Sequence, residues 1–314
     1  MAGISNDFKI SATIRLMNSL SVVINAQNAE KDLPRAFVSI KSLADEVVVV
    51  DQESTDKTTE IAKKFGAKVF THKHVEYVEL ARNFAISKAS KDWILILDPD
   101  EEISETLVKK IKEIVEKNDA DFCRIPRKNI IFGKWIEHTA WWPDYQIRLF
   151  KKGKTSWNEM IHSVPLTIGK GTDLPAEEKF AIIHHNYNSV EQYLERLNRY
   201  TSVQSELLSK DGYEFSWKDL IDKPFREFIN RYFVGEGYKD GLHGLVLSFL
   251  QAFSELIVYV KIWQMNKFKE ERIGIKEIIN EMGEKEKELH FWQNDTLYKE
   301  TKKISYKLRR KLKI

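Results

Sequence analysis

The sequence lacks several features that would define other classes of protein. Among its 314 residues there is a single cysteine, Cys123, so no disulfide can form within the chain and a reducing compartment is expected. The first 20 residues are mixed and polar and do not contain the apolar core of a signal peptide. Neither of the glycine-rich phosphate loops, GxGxxG and GxxxxGK[ST], occurs. We therefore expect a cytoplasmic protein in which side chains or a metal neutralise any bound phosphate. Cys123 is interpreted as a small strand residue rather than a nucleophile.

Charge is nearly balanced but unevenly distributed along the chain. The net charge is +3, and the last 16 residues contain eight lysines and arginines against Glu300, so the rest of the chain is mildly acidic. Ile304, Leu308 and Leu312 recur at four-residue steps in this basic stretch, which predicts an amphipathic helix suited to a membrane surface. A solvated charged terminus is the alternative. Nucleic-acid binding is not expected, because Tyr306 is the one aromatic residue interleaved with the tail's positive charge.

The first 120 residues alternate between apolar runs and amphipathic stretches. This alternation predicts an α/β fold with a mostly parallel, doubly wound sheet. Strands are predicted at 20–25, 46–51, 67–70 and 93–97, and helices at about 32–42, 54–66, 80–89 and 107–115.

The pattern changes after Asp121, where short aromatic-rich strands predict an antiparallel extension of the sheet. From Val190 onward the sequence is helical. We therefore divide the chain into an N-terminal extension (1–19), a sheet domain (20–189) and a helical C-terminal region (190–314). Residues 242–263 form the most apolar helix, close to bilayer length. Polar residues interrupt it, so a buried helix or an in-plane membrane helix is expected instead of a span. Residues 264–295 are predicted to form a helix–turn–helix connector.

The most informative segment is the apolar run at 93–97 followed by Asp98-Pro99-Asp100. Parallel sheets bind ligands at the carboxyl ends of their strands. Two carboxylates one residue apart at such an end suit a divalent cation, Mg²⁺ or Mn²⁺, which can neutralise a diphosphate. A solvated strand end is the alternative for an isolated Asp-x-Asp. Asn25 and Asp51 end neighbouring predicted strands, and Arg82 is a further candidate to bind the diphosphate.

Four segments carry a resemblance to a known family: SVVINAQNAE (21–30), VVVDQESTDKT (48–58), LARN (80–83) and LDPDE (97–101). In this order and spacing they resemble the opening of the family 2 inverting glycosyltransferases, which have the GT-A fold. The later segments WPD (142–144) and RLF (148–150), with Trp157, His162, His184, Tyr187 and Tyr200, resemble the branch related to lipopolysaccharide-core glucosyltransferases. The resemblance covers about residues 20–263.

The resemblance implies a role for individual residues. It implies that Asp51 contacts the base, Asp98 the ribose or the metal, and Asp100 the metal that bridges the two phosphates. One of His184 and His185 could supply a third metal ligand, but adjacent strand residues point to opposite faces. We take His185 as that ligand, with core packing of both as the alternative. The residues expected to surround the nucleotide are Ala26, Asn28, Glu30, Asp51, Ser54, Arg82 and Asp98.

The base that accepts the proton of the acceptor hydroxyl is harder to assign. Relatives carry a glutamate directly after the histidine that corresponds to His162, whereas this chain has Ser163. A serine cannot serve as that base unaided. The candidates nearby are Asp144, Glu159 and His162, and we rank Asp144 first.

Together these expectations describe a metal-dependent transfer of a sugar, with inversion, from a nucleotide-diphosphate sugar to a lipid-linked or glycan acceptor in cell-envelope synthesis. A UDP-sugar is the first expectation for the donor. The location expected is the cytoplasmic face of the membrane, and a homo-oligomer is left open. The alternatives are a catalytically degenerate, membrane-associated nucleotide-sugar-binding protein, or a nucleotidyltransferase. The four tryptophans expected to pack in the core or to form a sugar platform are Trp135, Trp141, Trp142 and Trp157.

Overall fold

The computed structural model describes residues 18–75, 78–158 and 164–312. Within these ranges the chain forms twelve strands and nine α-helices. The strands are β1 (Leu20–Ala26), β2 (Glu46–Asp51), β3 (Lys68–Thr71), β4 (Trp93–Ile96), β5 (Glu101–Ile103), β6 (Phe122–Ile131), β7 (Lys134–Trp135), β8 (Asp144–Lys151), β9 (Thr155–Ser156), β10 (Leu166–Thr167), β11 (Gly171–Asp173) and β12 (Ile182–Tyr187). The helices are α1 (Leu33–Ile40), α2 (Thr58–Lys64), α3 (Glu79–Ser87), α4 (Glu105–Lys117), α5 (Val190–Lys210), α6 (Asp219–Ile229), α7 (Leu242–Met265), α8 (Ile275–Thr301) and α9 (Ile304–Leu312).

One large sheet carries most of the strands, in the order β3-β2-β1-β4-β8-β6-β12-β5. The first four strands are parallel to one another. Strand β8 is antiparallel to both β4 and β6, and β12 is antiparallel to β5. The predicted fold class, a mostly parallel sheet with an antiparallel extension followed by helices, is confirmed. The topology brings the carboxyl ends of β1, β2 and β4 to one edge, as predicted.

Both faces of the parallel part are covered. Successive side chains of each strand point to opposite faces, and apolar residues lie on both. Val22 and Ile24 of β1 pack in one layer with α1 and α4, whereas Val23 packs in the other layer with α3. Burial on both faces explains the continuous apolar runs at 20–25 and 93–97. Cys123 lies in β6 and is fully buried, which confirms its interpretation as a strand residue.

The helical region starts at Val190 and packs α7 against α5 and α6. The helix–turn–helix predicted for 264–295 is wrong, because α7 ends at Met265 and α8 continues unbroken for 27 residues from Ile275. The ion pair between Lys285 of α8 and Asp222 of α6 holds the two helices together. The predicted amphipathic helix in the tail is confirmed as α9.

Candidate active site

The loops after β1 and β2 are tied together at the carboxyl edge of the sheet. Three successive backbone N–H groups after β1 donate to side chains of the β2–α2 loop, so none of them is free to cradle a phosphate. Asn28 also accepts a hydrogen bond from the N–H of Thr55 (2.8 Å), and Glu30 accepts one from Lys57 (3.1 Å). The three donations run from Asn28 to Ser54 Oγ (2.9 Å), from Ala29 to Thr58 Oγ1 (2.8 Å) and from Glu30 to Asp56 Oδ2 (3.0 Å).

Two buried polar oxygens lie without a hydrogen-bond partner among the described residues at this edge. Asp51 accepts a bond from the N–H of Ser54 through Oδ2 (3.2 Å), while its Oδ1 has none. Asn25 donates to the carbonyl of Ala81 (3.4 Å), and its Oδ1 is also unpartnered. Buried acceptors of this kind are normally paired in folded proteins. Their position at the ends of β1 and β2 is where a ligand with N–H or O–H donors would bind.

The carboxylate of Asp98 is held by two arginines. Arg82 Nη2 lies 2.6 Å from Oδ1, and Arg148 Nη2 lies 2.6 Å from Oδ2. Burial acts to raise the pKa of Asp98, but the two guanidinium charges outweigh it and hold that pKa far below its usual range. Each oxygen of Asp98 is therefore paired with a guanidinium group. Its contacts with a ribose or a metal stay predictions.

Glu101 lies beneath this pair and is fully buried. Its Oε1 accepts a hydrogen bond from Arg148 (2.6 Å) and lies 3.4 Å from Arg127 Nη1, and its Oε2 accepts one from the N–H of Asp98 (2.8 Å). Arg82 retains one buried guanidinium nitrogen, Nη1, with no partner among the described residues. That nitrogen is a donor available to an anionic ligand, and the diphosphate contact of Arg82 stays a prediction.

Asp100 and His184 face each other across the edge of the sheet. His184 Nε2 lies 3.7 Å from Asp100 Oδ2, and Arg196 Nη2 lies 3.4 Å from the same oxygen. Burial acts to raise the pKa of Asp100, and the charges of His184 and Arg196 outweigh it, so the pKa is lowered.

The tautomer of His184 follows from its neighbour Asn129. The amide nitrogen of Asn129 donates to the carbonyl of Trp141 (3.0 Å) and to Asp144 (3.1 Å), which fixes the orientation of the amide. The amide oxygen of Asn129 then accepts a bond from His184 Nδ1 at 2.6 Å. In the neutral ring the lone pair therefore resides on Nε2, which faces Asp100. A carboxylate and an imidazole lone pair at this separation suit a shared cation.

His185 is on the other side of β12. Its Nε2 bonds to Glu102 (3.0 Å), whereas His184 is the member of the pair that faces Asp100; the third metal ligand predicted at His185 stays a prediction. The alternation of side chains along a strand allowed only one of the two, and the pairing of His184 with Glu101 across β12 and β5 sets which one.

Asp144, ranked first as the base, is already engaged by three side chains. Arg127 Nη2 lies 2.6 Å from Oδ2, and Asn129 and Gln146 donate at 3.1 and 2.7 Å. Burial acts to raise its pKa, but Arg127 and the two amides outweigh it and lower the pKa. A carboxylate in this state is a weak proton acceptor. Glu159, His162 and Ser163 lie outside the described residues.

The four tryptophans do not form one platform. Trp141 packs with the helical core and Trp157 stacks near Phe150, whereas Trp135 and Trp142 form an edge-to-face pair with centroids 5.3 Å apart. Sequence reasoning missed Arg148, Arg127 and Arg196 as site residues. Arg148 could have been found, since a charge inside the apolar strand segment 147–150 needs a buried partner.

Comparison with known proteins agrees with this arrangement. The sequence profile described as "Glycosyl transferase family 2" matches residues 21–167. An uncharacterized glycosyltransferase of Rickettsia typhi is 30% identical over 259 residues, which cover 80% of this chain and 88% of the relative. An uncharacterized glycosyltransferase of Rickettsia bellii is 30% identical over 261 residues, with 80% and 88% covered.

Weaker likenesses to solved structures include S. aureus TarS 1–349 in complex with UDP-GlcNAc, at 16% identity and a TM-score of 0.40, covering 82% of this chain and 94% of that one. Another is glucosyl-3-phosphoglycerate synthase from Mycobacterium tuberculosis with Mn²⁺, UDP and glucosyl-3-phosphoglycerate, at 17% identity and a TM-score of 0.38, covering 63% and 82%.

Proposed function

The chain belongs to glycosyltransferase family 2, and from that premise we propose that it transfers a hexose, with inversion, from a UDP-sugar to a lipid-linked or glycan acceptor of the cell envelope. The observation that carries the proposal is the unpartnered oxygen of the buried Asp51 carboxylate. A uracil base offers one N–H donor that would satisfy this oxygen. The tied loops beside Asp51 leave no free backbone N–H at Asn28, Ala29 or Glu30 for the phosphates.

The charge of the diphosphate must then be met by side chains and a cation. Asp100 and His184 are the residues that would hold Mg²⁺ or Mn²⁺, because a carboxylate oxygen and a free imidazole nitrogen face each other there. Such ions are usually bound by one or two carboxylates together with substrate phosphates, so two protein donors suffice. When bound, the cation would act as a Lewis acid on the departing diphosphate. Arg82 Nη1 is placed to donate to the same phosphates.

Arg148 and Arg82 fix the negative charge of Asp98 in the floor of this site. The pairing keeps Asp98 ionised and immobile, so its position does not depend on the ligand. Preorganised groups of this kind do not have to reorganise when charge develops during the reaction. The base remains to be assigned. Asp144 is a weak acceptor while Arg127 holds it, which favours a contribution from Glu159 or His162.

The test is calorimetric titration of UDP, GDP, dTDP and CDP, each with and without Mn²⁺. We expect UDP to bind most tightly and Asp51→Asn to weaken it by about 10- to 100-fold, the effect of one charged hydrogen bond. Asp173→Asn is the matched control, since Asp173 is an exposed aspartate on β11 paired with Arg124. Equal affinity of all four nucleotides, or unchanged UDP binding by Asp51→Asn, would refute the proposed donor site. Release of UDP from UDP-sugars then separates a transferase from a degenerate binding protein.

A further inference from the structure

Helix α7 is apolar on the face that the described part of the chain leaves uncovered. Its other face is buried against α5 and α6, with Leu247, Val258 and Ile262 fully or almost fully covered. A helix on the surface of a soluble protein normally carries polar residues on its outer side. Here the outer side consists of Leu242 (73% exposed), Val246 (36%), Phe249 (57%) and Phe253 (43%), at steps of four, three and four residues. We call these four residues the α7 stripe.

The α7 stripe continues into neighbouring apolar residues. The ring of Phe249 packs 4.6 Å from that of Phe228, which in turn stacks on Tyr232 at 5.4 Å. Val234, in the short π-helix that follows α6, is 48% exposed. Contiguous exposed apolar surface of this kind marks an interaction site in a soluble protein.

Helix α7 is long and apolar enough to cross a membrane, with a mean hydropathy of 1.7 over its most apolar window. Polar residues of α7 nevertheless form hydrogen bonds with the neighbouring helix α5. Lys261 Nζ bonds to the carbonyl of Asn198 (2.6 Å) and to Thr201 Oγ1 (2.9 Å), and Gln251 donates to Tyr193 (2.7 Å). These bonds fasten one face of α7 to α5, so the helix presents only its stripe outward. That geometry fits a helix lying in the plane of a membrane surface.

Positive charge is located beside the start of the α7 stripe. The hydroxyl of Tyr238, four residues before Leu242, bonds to Glu300 Oε1 at 2.8 Å. This contact places the end of α8, and hence the start of α9, next to the N-terminal end of α7. Helix α9 carries Lys307, Arg309 and Lys311 as exposed cations, while its Arg310 pairs with Asp295.

We propose that the α7 stripe and the exposed cations of α9 form one docking surface for an anionic lipid bilayer. The apolar stripe would enter the acyl boundary while the lysines and arginines of α9 meet anionic headgroups. Charge complementarity selects the bilayer over a second copy of the chain, since two copies would bring α9 cations together. The surface is close to the site: His243 Nε2 bonds to the carbonyl of Phe132 (3.2 Å), at the turn between β6, which carries Arg127 and Asn129, and β7.

The test is flotation of the full chain, without donor, on vesicles of phosphatidylcholine alone or mixed with phosphatidylglycerol. We expect strong partitioning on the mixed vesicles. Val246→Glu/Phe253→Glu should lower it at least about tenfold on both lipids, since apolar burial is lost. Lys307→Gln/Arg309→Gln/Lys311→Gln should lower it only on the anionic vesicles, by about fivefold for each charge. Leu242→Glu is a second stripe variant that preserves folding, because an acid in the first turn favours the helix.

The control is Val38→Glu. Val38 is a valine on α1 that is 68% exposed, and α1 packs against β5. It should partition as the unaltered chain does. Equal partitioning by the stripe variants and the unaltered chain would overturn the proposal. Light scattering in the same buffer gives a second outcome: if the stripe variants dissociate an oligomer and still float normally, the stripe is a subunit interface and the proposal is wrong. UDP titration of each variant keeps this result separate from the donor site.

Discussion

Arg148 Nη2 lies 2.6 Å from Asp98 Oδ2, with the arginine side chain only 5% exposed. The same nitrogen lies 2.6 Å from Glu101 Oε1. One cation from the antiparallel strand β8 therefore fixes two acids that follow the parallel strand β4. The junction between the two halves of the sheet is thus an ionic contact as well as a ladder of backbone bonds.

Replacement of Arg148 by methionine should destabilise the fold by about 3–5 kcal/mol, because two buried carboxylates each lose one of the two guanidinium groups beside them. Arg148→Lys should lower the free energy of unfolding by less, since the ammonium keeps the positive charge. Some loss is still expected, because the ammonium cannot reach both acids in the same way. Urea unfolding of the three proteins measures the difference. Arg124→Met is the matched control: Arg124 pairs with Asp173 across strands, but in an exposed position, so about 1 kcal/mol or less is expected.

Ionised Glu46 should stabilise the fold, and this contribution to the free energy of unfolding should be lost at low pH. Burial acts to raise its pKa, but Lys68, Ser21 and Ser90 donate to the carboxylate and lower it from 4.5 to about 2. A depressed pKa contributes stability that is present above about 4.5 and is lost as the pH falls through about 2. The shift corresponds to about 3 kcal/mol. Glu46→Gln should therefore be less stable than the unaltered chain at pH 6, and the two should converge near pH 2. Parallel stability curves across this range would contradict the prediction.

His184 and His185 offer a paired test of the cation site. His184→Ala should weaken Mn²⁺-dependent UDP binding by about tenfold or more, the range found when one partner around a metal is lost. His185→Ala should leave it unchanged, because His185 bonds to Glu102 instead. Calorimetry of UDP with and without Mn²⁺ on both variants makes the comparison. A larger effect from His185→Ala would support the prediction from sequence.

The strand ends could be predicted from sequence because they are encoded locally. Asn25, Asp51 and Asp98 each end an apolar run, and the carboxyl ends of parallel strands meet at one edge. The partners of Asp98 could not be predicted in the same way. Arg148 comes from 50 residues further along the chain, and nothing in a single sequence specifies that pairing.

The sequence alone could not decide between His184 and His185 for a related reason. Side chains alternate along β12, so only one of the two histidines could reach the site. Which one does so depends on the strand that lies next to β12. That strand is β5, three residues long and two of them acidic, so its sequence has no apolar run to predict it. A short strand whose pairing fixes the site is where sequence patterns give least information.

Cys123 should not react with thiol reagents while the protein is folded. Its side chain is fully buried in β6, and burial, together with Asp173, raises the pKa of the thiol to about 12. Since the thiolate is the reactive form, Ellman's reagent should modify the chain only when it unfolds. The modification rate in increasing urea should follow the unfolded fraction measured by circular dichroism, with complete reaction of the denatured chain as the control. Complete modification within minutes in native buffer would mean that β6 opens locally. Because β6 carries Arg127 and Asn129, such opening would also release Asp144 from the contacts that make it a weak base.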